Sequence, residues 1–149
     1  MARRLNPATS GDILKNRILC VKSVNSIITC QLKLIVPSVW KPLRGPVRDW
    51  PLALCDPTTV ALEDAHPGDL VYDDYVVENC QLHYAKDQQW YFLSDQRPDE
   101  AWAFIQTDSS TAQTRVGVPH SSFPMPPTEQ GGLPRESIEI RCLVYFNCS

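Results

Sequence analysis

None of the six cysteines forms a CxxC pair, so the usual spacing of a structural zinc site is missing. No glycine-rich phosphate loop, GxSxG elbow or HExxH pair occurs, which removes the sequence signals of nucleotide binding, serine hydrolysis and zinc proteolysis. No uninterrupted apolar run is long enough for a membrane span: the stretch 18–39 is broken by Lys22, Asn25, Gln31, Lys33 and Pro37. Arg3 and Arg4 open the chain, but no apolar segment follows to make a secretory signal. These absences predict a cytoplasmic protein without a membrane partner, its cysteines reduced and mostly buried. No internal repeat is present.

What is present fits one globular domain. The chain has 149 residues, enough to hide roughly 70% of its unfolded surface. Thirteen prolines argue against long helices, since each fixes φ and removes a backbone donor. Residues 1–48 carry nine Lys/Arg against one acid, Asp12, while 49–149 carry five against sixteen. A basic arm for nucleic acid is one reading of that asymmetry. The basic residues are scattered, no aromatic residue precedes Trp40, and the acidic remainder would repel phosphate. We therefore expect no nucleic-acid partner, and a solvated segment or two halves that attract each other.

The pattern is that of a mainly β protein. Residues 9–17 could form a short helix capped by Ser10, and 27–36 read as a strand. Five prolines in 37–57 predict a rigid extended connection, with Trp40 and Trp50 pinned to the core. Residues 75–84, 88–94 and 101–107 read as strands, the last two joined by a turn at Pro98, and 124–134 as a Pro/Gly-rich loop. In 136–146, Ile138, Ile140, Cys142, Val144 and Phe146 share one face and Ser137, Glu139, Arg141, Leu143 and Tyr145 the other. Such strands imply an antiparallel sandwich or barrel.

Three histidines are candidates for chemistry. His66 lies in an acidic loop and His83 in a strand, and both read as packed or surface residues. His120 lies in VPHSSF, ahead of the Pro-rich loop. Arg135, Ser137 and Arg141 line the polar side of the last strand, where a guanidinium and a hydroxyl suit a carboxylate. His120 could hold a metal near the other end of such a ligand. The competing reading pairs Arg141 with Glu139 or Glu136 on a solvated face. A non-haem iron site needs two histidines and a carboxylate. Yet His66 is followed by Pro-Gly and His83 by Tyr-Ala, so neither begins a His-x-Asp or His-x-Glu.

Four segments carry a resemblance: VWKPLRGPVRDWPLALCD (39–56), QQWYFLSDQRPDEAWAFIQTDSS (88–110), VPHSSF (118–123) and PRESIEIRCLVYF (134–146). In this order they resemble the fungal AsaB-type hydroxylase/desaturase family, which takes in gibberellin-desaturase-like and CmcJ-like proteins of secondary metabolism. The resemblance implies a double-stranded β-helix (jelly roll) with a short N-terminal helix and long Pro-rich loops. It implies Fe(II) and 2-oxoglutarate as cofactors and hydroxylation or desaturation of a small-molecule metabolite. His120 would be the distal iron ligand. Arg135 with Ser137 would be an RxS carboxylate clamp, with Arg141 as the competing clamp. Trp90, Phe92, Trp102 and Phe104 could line a pocket for an apolar or ring-bearing substrate, or serve as core.

The chain departs from that family upstream. The family's His-x-Asp block is missing, and the opening ARRLNPATSGDILKNRI resembles the stretch that follows it. About twenty residues, 19–38, then intervene before VWKPL, which predicts an insertion such as a retained intron read in frame. The domain reading is a segment 1–38 followed by 39–146, the C-terminal part of an oxygenase domain. Three readings of function follow: a truncated oxygenase, a non-catalytic fragment or binding module, and a methyltransferase-labelled CmcJ-like protein. The last lacks a glycine-rich loop to hold a methyl donor.

Overall fold

A computed structural model describes residues 2–4, 20–21, 32–108, 117–126 and 134–147. The expected helix at 9–17 and most of the Pro/Gly loop at 124–134 lie outside the described residues. The described elements are strands and two short 3-10 turns, at Pro57–Thr59 and Leu62–Asp64. No helix among them is long and apolar enough to cross a membrane.

Among the described residues, eleven strands form three sheets. In the first, β1 (Ala2–Arg4), β7 (Trp90–Leu93), β4 (Leu52–Cys55) and β9 (His120–Ser122) lie side by side in that order. In the second, β3 (Leu32–Pro42) is central, with β8 (Trp102–Asp108) on one side. On its other side β10 (Ser137–Arg141) and β11 (Val144–Asn147) follow one another. The third sheet is a hairpin of β5 (Ala65–Val71) and β6 (Val76–Leu82), with β2 (Cys20–Val21) beside β6. Every pairing among these strands is antiparallel.

β4 joins the layers. All four of its residues are buried, because both faces are covered. Leu52 and Leu54 meet Trp40 of β3 and Phe104 of β8 across the gap between the first two sheets. Ala53 and Cys55 point the other way, into a core with Leu82, Trp90, Phe92, Phe123 and Met125. Phe92 and Phe123 meet edge to face at 5.2 Å. Each fully buried large side chain here contributes about 1.5–3 kcal/mol. Of the four aromatic residues left open above, Trp90 and Phe92 are core in the one cluster and Phe104 in the other, with Trp102 partly buried against the second.

Several expectations are corrected. Residues 37–57 are not one extended connection, since 37–42 complete β3 and 52–55 form β4. Trp40 is buried at 5% exposure, but Trp50 is 38% exposed with φ 45°, so it pins nothing. The turn expected at Pro98 is present, with the Glu100 N–H donating to the Arg97 carbonyl at 3.0 Å, and it lies in a crossover, since the consecutive strands β7 and β8 belong to different sheets. The last strand is interrupted at Cys142 and Leu143 although its register on β3 continues, with the Cys142 N–H donating to the Pro37 carbonyl at 2.9 Å. Opposite Cys142, Pro37 has no N–H to return, so the ladder loses a bond there. On the other flank the register with β8 shifts between Val36 and Pro37, a bulge that leaves Gln106 without a partner on β3. The apolar side of β10 is exposed, Ile138 at 45% and Ile140 at 56%, while the polar side lies on the face of the sheet that buries Trp40 and Ser38, with Glu139 and Arg141 themselves still open to solvent. Cys55 and Cys80 are buried as expected, while Cys142 is exposed.

Candidate active site

Strand pairing decides which side chains meet. His120 is opposite Leu54, so it shares the face that Leu54 presents to the second sheet. Its ring lies 4.7 Å from that of Phe104. On the facing sheet, Ser137, Glu139 and Arg141 are opposite Pro42, Trp40 and Ser38, and so share the face that buries Trp40 and Ser38. His120, Ser137, Glu139 and Arg141 thus line one gap between two sheets.

The His120 Nδ1 lies 3.0 Å from the Val118 carbonyl oxygen. A carbonyl only accepts, so Nδ1 carries the proton and Nε2 keeps its lone pair. Burial lowers the His120 pKa, opposed by the Val118 bond and the Glu139 charge and reinforced by the Arg141 charge. The imidazole is therefore neutral at neutral pH, the state a metal ligand requires.

Glu139 is the centre of a polar network that sequence reading treated only as one partner in an ion pair. Its Oε1 accepts from Ser38 Oγ at 2.8 Å, Gln106 Nε2 at 3.2 Å and Arg141 Nε at 3.2 Å. Gln106 Nε2 also donates to Ser38 Oγ at 2.9 Å. Burial would raise the Glu139 pKa, but the bonds from Ser38 and Arg141 and the charges of Arg141 and His120 outweigh it and lower it. Gln106 reaches this network because alternation along β8 puts it on the same inward face as Phe104. The chain at Gly117 closes over it: a Cβ there would lie 1.8 Å from the Gln106 carbonyl oxygen.

The two arginines differ. Arg141 is paired with Glu139, the pairing left open in the sequence, at the solvent-exposed rim of the face that buries Trp40 and Ser38. Glu136 is paired with Arg44 instead. Arg135 lies just before β10, its guanidinium 5.5 Å over the Trp40 ring. Its Nη1 donates to the Trp50 carbonyl, and its backbone N–H donates to Asp49 Oδ2 at 3.1 Å. The left-handed backbone at Trp50 accompanies that carbonyl contact, a conformation costing about 1–3 kcal/mol in a non-glycine residue. Burial lowers the Arg135 pKa and Asp49 raises it, but the group remains a cation.

Two buried polar atoms near this gap lack partners: Trp102 Nε1, a donor, and Gln106 Oε1, an acceptor. A ligand bearing oxygens and hydroxyls would satisfy both. For a metal the fit is partial. Among the described residues, no group of three His, Cys, Asp or Glu side chains is placed to hold one. His66 and His83 lie on the third sheet's hairpin, their rings 4.2 Å apart, and are exposed. A separate open basin of about 460 Å³, lined by Gly45, Arg48, Asp95 and Arg97 among others, shares no residue with the His120 cluster.

Comparison with known proteins agrees with this arrangement. The family model described as the oxidoreductase/YMDC permease-like domain matches residues 16–145. The chain belongs to this family. Its curated relatives include hydroxylase/desaturase asaB of Aspergillus flavus, 30% identical over 150 residues, covering 91% of this chain and 64% of that protein. The Fe(II)/2-oxoglutarate-dependent dioxygenase nvfI of Aspergillus novofumigatus is 42% identical over 110 residues, covering 72% and 39%. Aspirochlorine biosynthesis protein N of Aspergillus oryzae is 36% identical over 113 residues, covering 74% and 48%. A solved structure of the iron and alpha-ketoglutarate-dependent endoperoxidase NvfI superposes with a TM-score of 0.75 at 32% identity, over 89% of this chain and 54% of that one. The family is thus the AsaB-type group of fungal oxidoreductases, and the fold is part of a jelly roll. The chain spans roughly two fifths to two thirds of the length of these relatives.

Proposed function

We propose that this chain is the C-terminal part of an oxidoreductase of fungal secondary metabolism that uses non-haem iron and 2-oxoglutarate to hydroxylate or desaturate a small-molecule metabolite. The observation that carries the reading is a neutral, inward-facing His120, its Nε2 lone pair available, between the same sheets as the polar face of β10. Its support is the 42% identity to a protein named as an Fe(II)/2-oxoglutarate-dependent dioxygenase. On this reading His120 Nε2 is one iron ligand, and Arg135 with Ser137 holds the far carboxylate of the cosubstrate. Arg141 is the weaker candidate for that clamp because Glu139 already neutralises it. When bound, iron supplies the power to oxidise an unactivated C–H bond. This chain's residues contribute orientation: Trp40 holds the Arg135 guanidinium in place, and Val118 fixes the His120 tautomer. Residues 39–146 are read as the oxygenase part.

The second reading, a non-catalytic fragment or binding module, draws on one observation: His120 has no companion set of metal ligands among the described residues. Anaerobic titration with Co(II) and with 2-oxoglutarate tests both. The oxygenase reading expects weak Co(II) binding that disappears in His120→Ala. It also expects 2-oxoglutarate binding weakened at least about tenfold in Arg135→Gln, the loss of about one charge-assisted bond. Tight metal binding that survives His120→Ala would place the site elsewhere.

A further inference from the structure

We propose that His66 and His83 form a metal site separate from His120, a two-histidine chelate on the outer face of the β5–β6 hairpin that takes a late first-row divalent cation. Their rings lie 4.2 Å apart, tilted by 38°. Strand register brings them together. His66 is opposite Gln81, and the His83 N–H donates to the Asp64 carbonyl at 2.7 Å, so the two histidines are diagonal neighbours on one face. The other face packs Ala65 and Leu82 against the core, which turns the histidines to solvent. Gln81 does not crowd them, because it lies over Gly68: a Cβ on that glycine would stand 3.1 Å from the Gln81 Nε2. Gln81 thus leans along the opposite diagonal and leaves the space between His66 and His83 clear.

The backbone beneath the pair is fixed. Pro67 keeps His66 extended, since a residue before proline is held out of the helical region. The proline costs the ladder nothing: the His83 bond sets the alternation, and Pro67, opposite Cys80, falls where no N–H points across. The His83 carbonyl accepts from Gln88 Nε2 at 2.8 Å. Both Cα positions are therefore held while the exposed rings turn, so a cation has little backbone to order. Two imidazole nitrogens bound to one metal at about 2.0–2.1 Å lie about 3 Å from each other. Rings centred 4.2 Å apart reach that span by side-chain rotation alone. Among the described residues no third His, Cys, Asp or Glu joins them, so solvent oxygens complete the coordination. Imidazole donors select Cu(II), Ni(II) and Zn(II) over Mg(II) and Ca(II), which take oxygen ligands. A cation held by two protein ligands exchanges readily and ties β5 to β6 while it is bound.

Ni(II) is the probe, because Cu(II), higher in the affinity series, oxidises thiols such as the exposed Cys142. Calorimetric titration of the untagged 149-residue chain carrying His120→Ala should show one Ni(II) bound per chain. His66→Gln and His83→Gln should each weaken that binding at least about tenfold, and the double variant should lose no more than either single one, because a lone imidazole does not chelate. Both side chains are exposed, so in metal-free buffer the variants should unfold at the parent's midpoint, and added Ni(II) should raise the midpoint of the parent only. Ni(II) is paramagnetic, so the amide resonances of Ala65, His66, Leu82 and His83 should broaden before those of Ser121 and Ser122 on β9. The proposal fails if no Ni(II) binds, if binding survives either substitution, if the double variant loses the sum of the two single effects, or if the broadening centres elsewhere. The inference stands apart from the oxygenase reading. A Co(II) titration of the His66→Gln/His83→Gln chain with His120 intact removes this pair and reports on His120, so either proposal can fail without the other.

Discussion

Replacing Ser38 with alanine removes one oxygen from the centre of the Glu139 network. Ser38 is fully buried, so no water replaces the hydroxyl. Two bonds disappear: the donation to Glu139 Oε1 at 2.8 Å and the acceptance from Gln106 Nε2 at 2.9 Å. A bond to a charged acceptor contributes about 1.5–3 kcal/mol net, and a neutral one about 1. Gln106 keeps its longer bond to Glu139, which offsets part of the second loss. The expected destabilisation is therefore about 2 kcal/mol, a fall of about 1 M in the urea midpoint for a domain of this size. A double-mutant cycle with Glu139→Gln should return a coupling of about 1–2 kcal/mol, because the two residues touch. A loss below about 0.5 kcal/mol, or additive single effects, would refute the network. Ser38 also lies in the stretch 19–38 read as an insertion, and an expendable stretch would tolerate the change.

Burial holds the His120 pKa below its ordinary value of 6.5, so the unfolded chain binds more protons at mildly acid pH. Stability should thus be full above about pH 6.5 and fall as pH drops below it, a slope that denaturation at pH 7.5 and 5.5 would detect and that His120→Gln should flatten. Burial pushes the Cys55 thiol up to about 11, leaving about one molecule in a thousand as thiolate at pH 8. Alkylation followed by mass spectrometry should modify the exposed Cys142 at least about 100-fold faster than Cys55. Gly117→Ala drives a methyl group into the Gln106 carbonyl and should cost about 3 kcal/mol or more, read as loss of soluble, cooperatively unfolding protein.

The strands rich in β-branched and aromatic residues were legible because a period of two leaves a local signal. β7, β8 and the two pieces of the final strand fall where alternation puts them. Which face is inward was not legible for β10. Alternation separates Ile138 and Ile140 from Glu139 and Arg141, but the usual rule that the apolar side faces inward gives the wrong sense here. The polar side lies over Ser38, Gln106 and His120. Pro37 also misled, because proline in a central strand is uncommon. It is accommodated where the neighbouring strand bulges, and a bulge depends on partners that sequence does not reveal. His120 and β10 were singled out separately, but nothing local specified that β4 would bring them onto facing sheets. Gln106 and Ser38 were missed altogether. A polar residue inside an apolar strand was the one available signal, and that signal is common on solvated faces as well.

The same geometry narrows the choice between the two arginines. A dicarboxylate entering this gap meets three titratable side chains on β9 and β10, and their charges are set by neighbours. His120 is neutral because burial dominates it. Arg141 and Glu139 form a pair whose net charge is zero, with the carboxylate kept ionised by Ser38 and Arg141. Freeing Arg141 to bind a ligand would give up its bond to Glu139, a solvent-exposed pair that contributes about 0–1 kcal/mol. Arg135 carries no such penalty: its Nη1 partner is a neutral carbonyl, and the Trp40 ring shields its other side without neutralising it. Its positive charge therefore remains available to an anion, with Ser137 two residues on to add a hydroxyl donor. Arg135→Gln should accordingly weaken carboxylate binding with little loss of fold stability, and Arg141→Gln should leave that binding in place and lower stability by no more than about 1 kcal/mol.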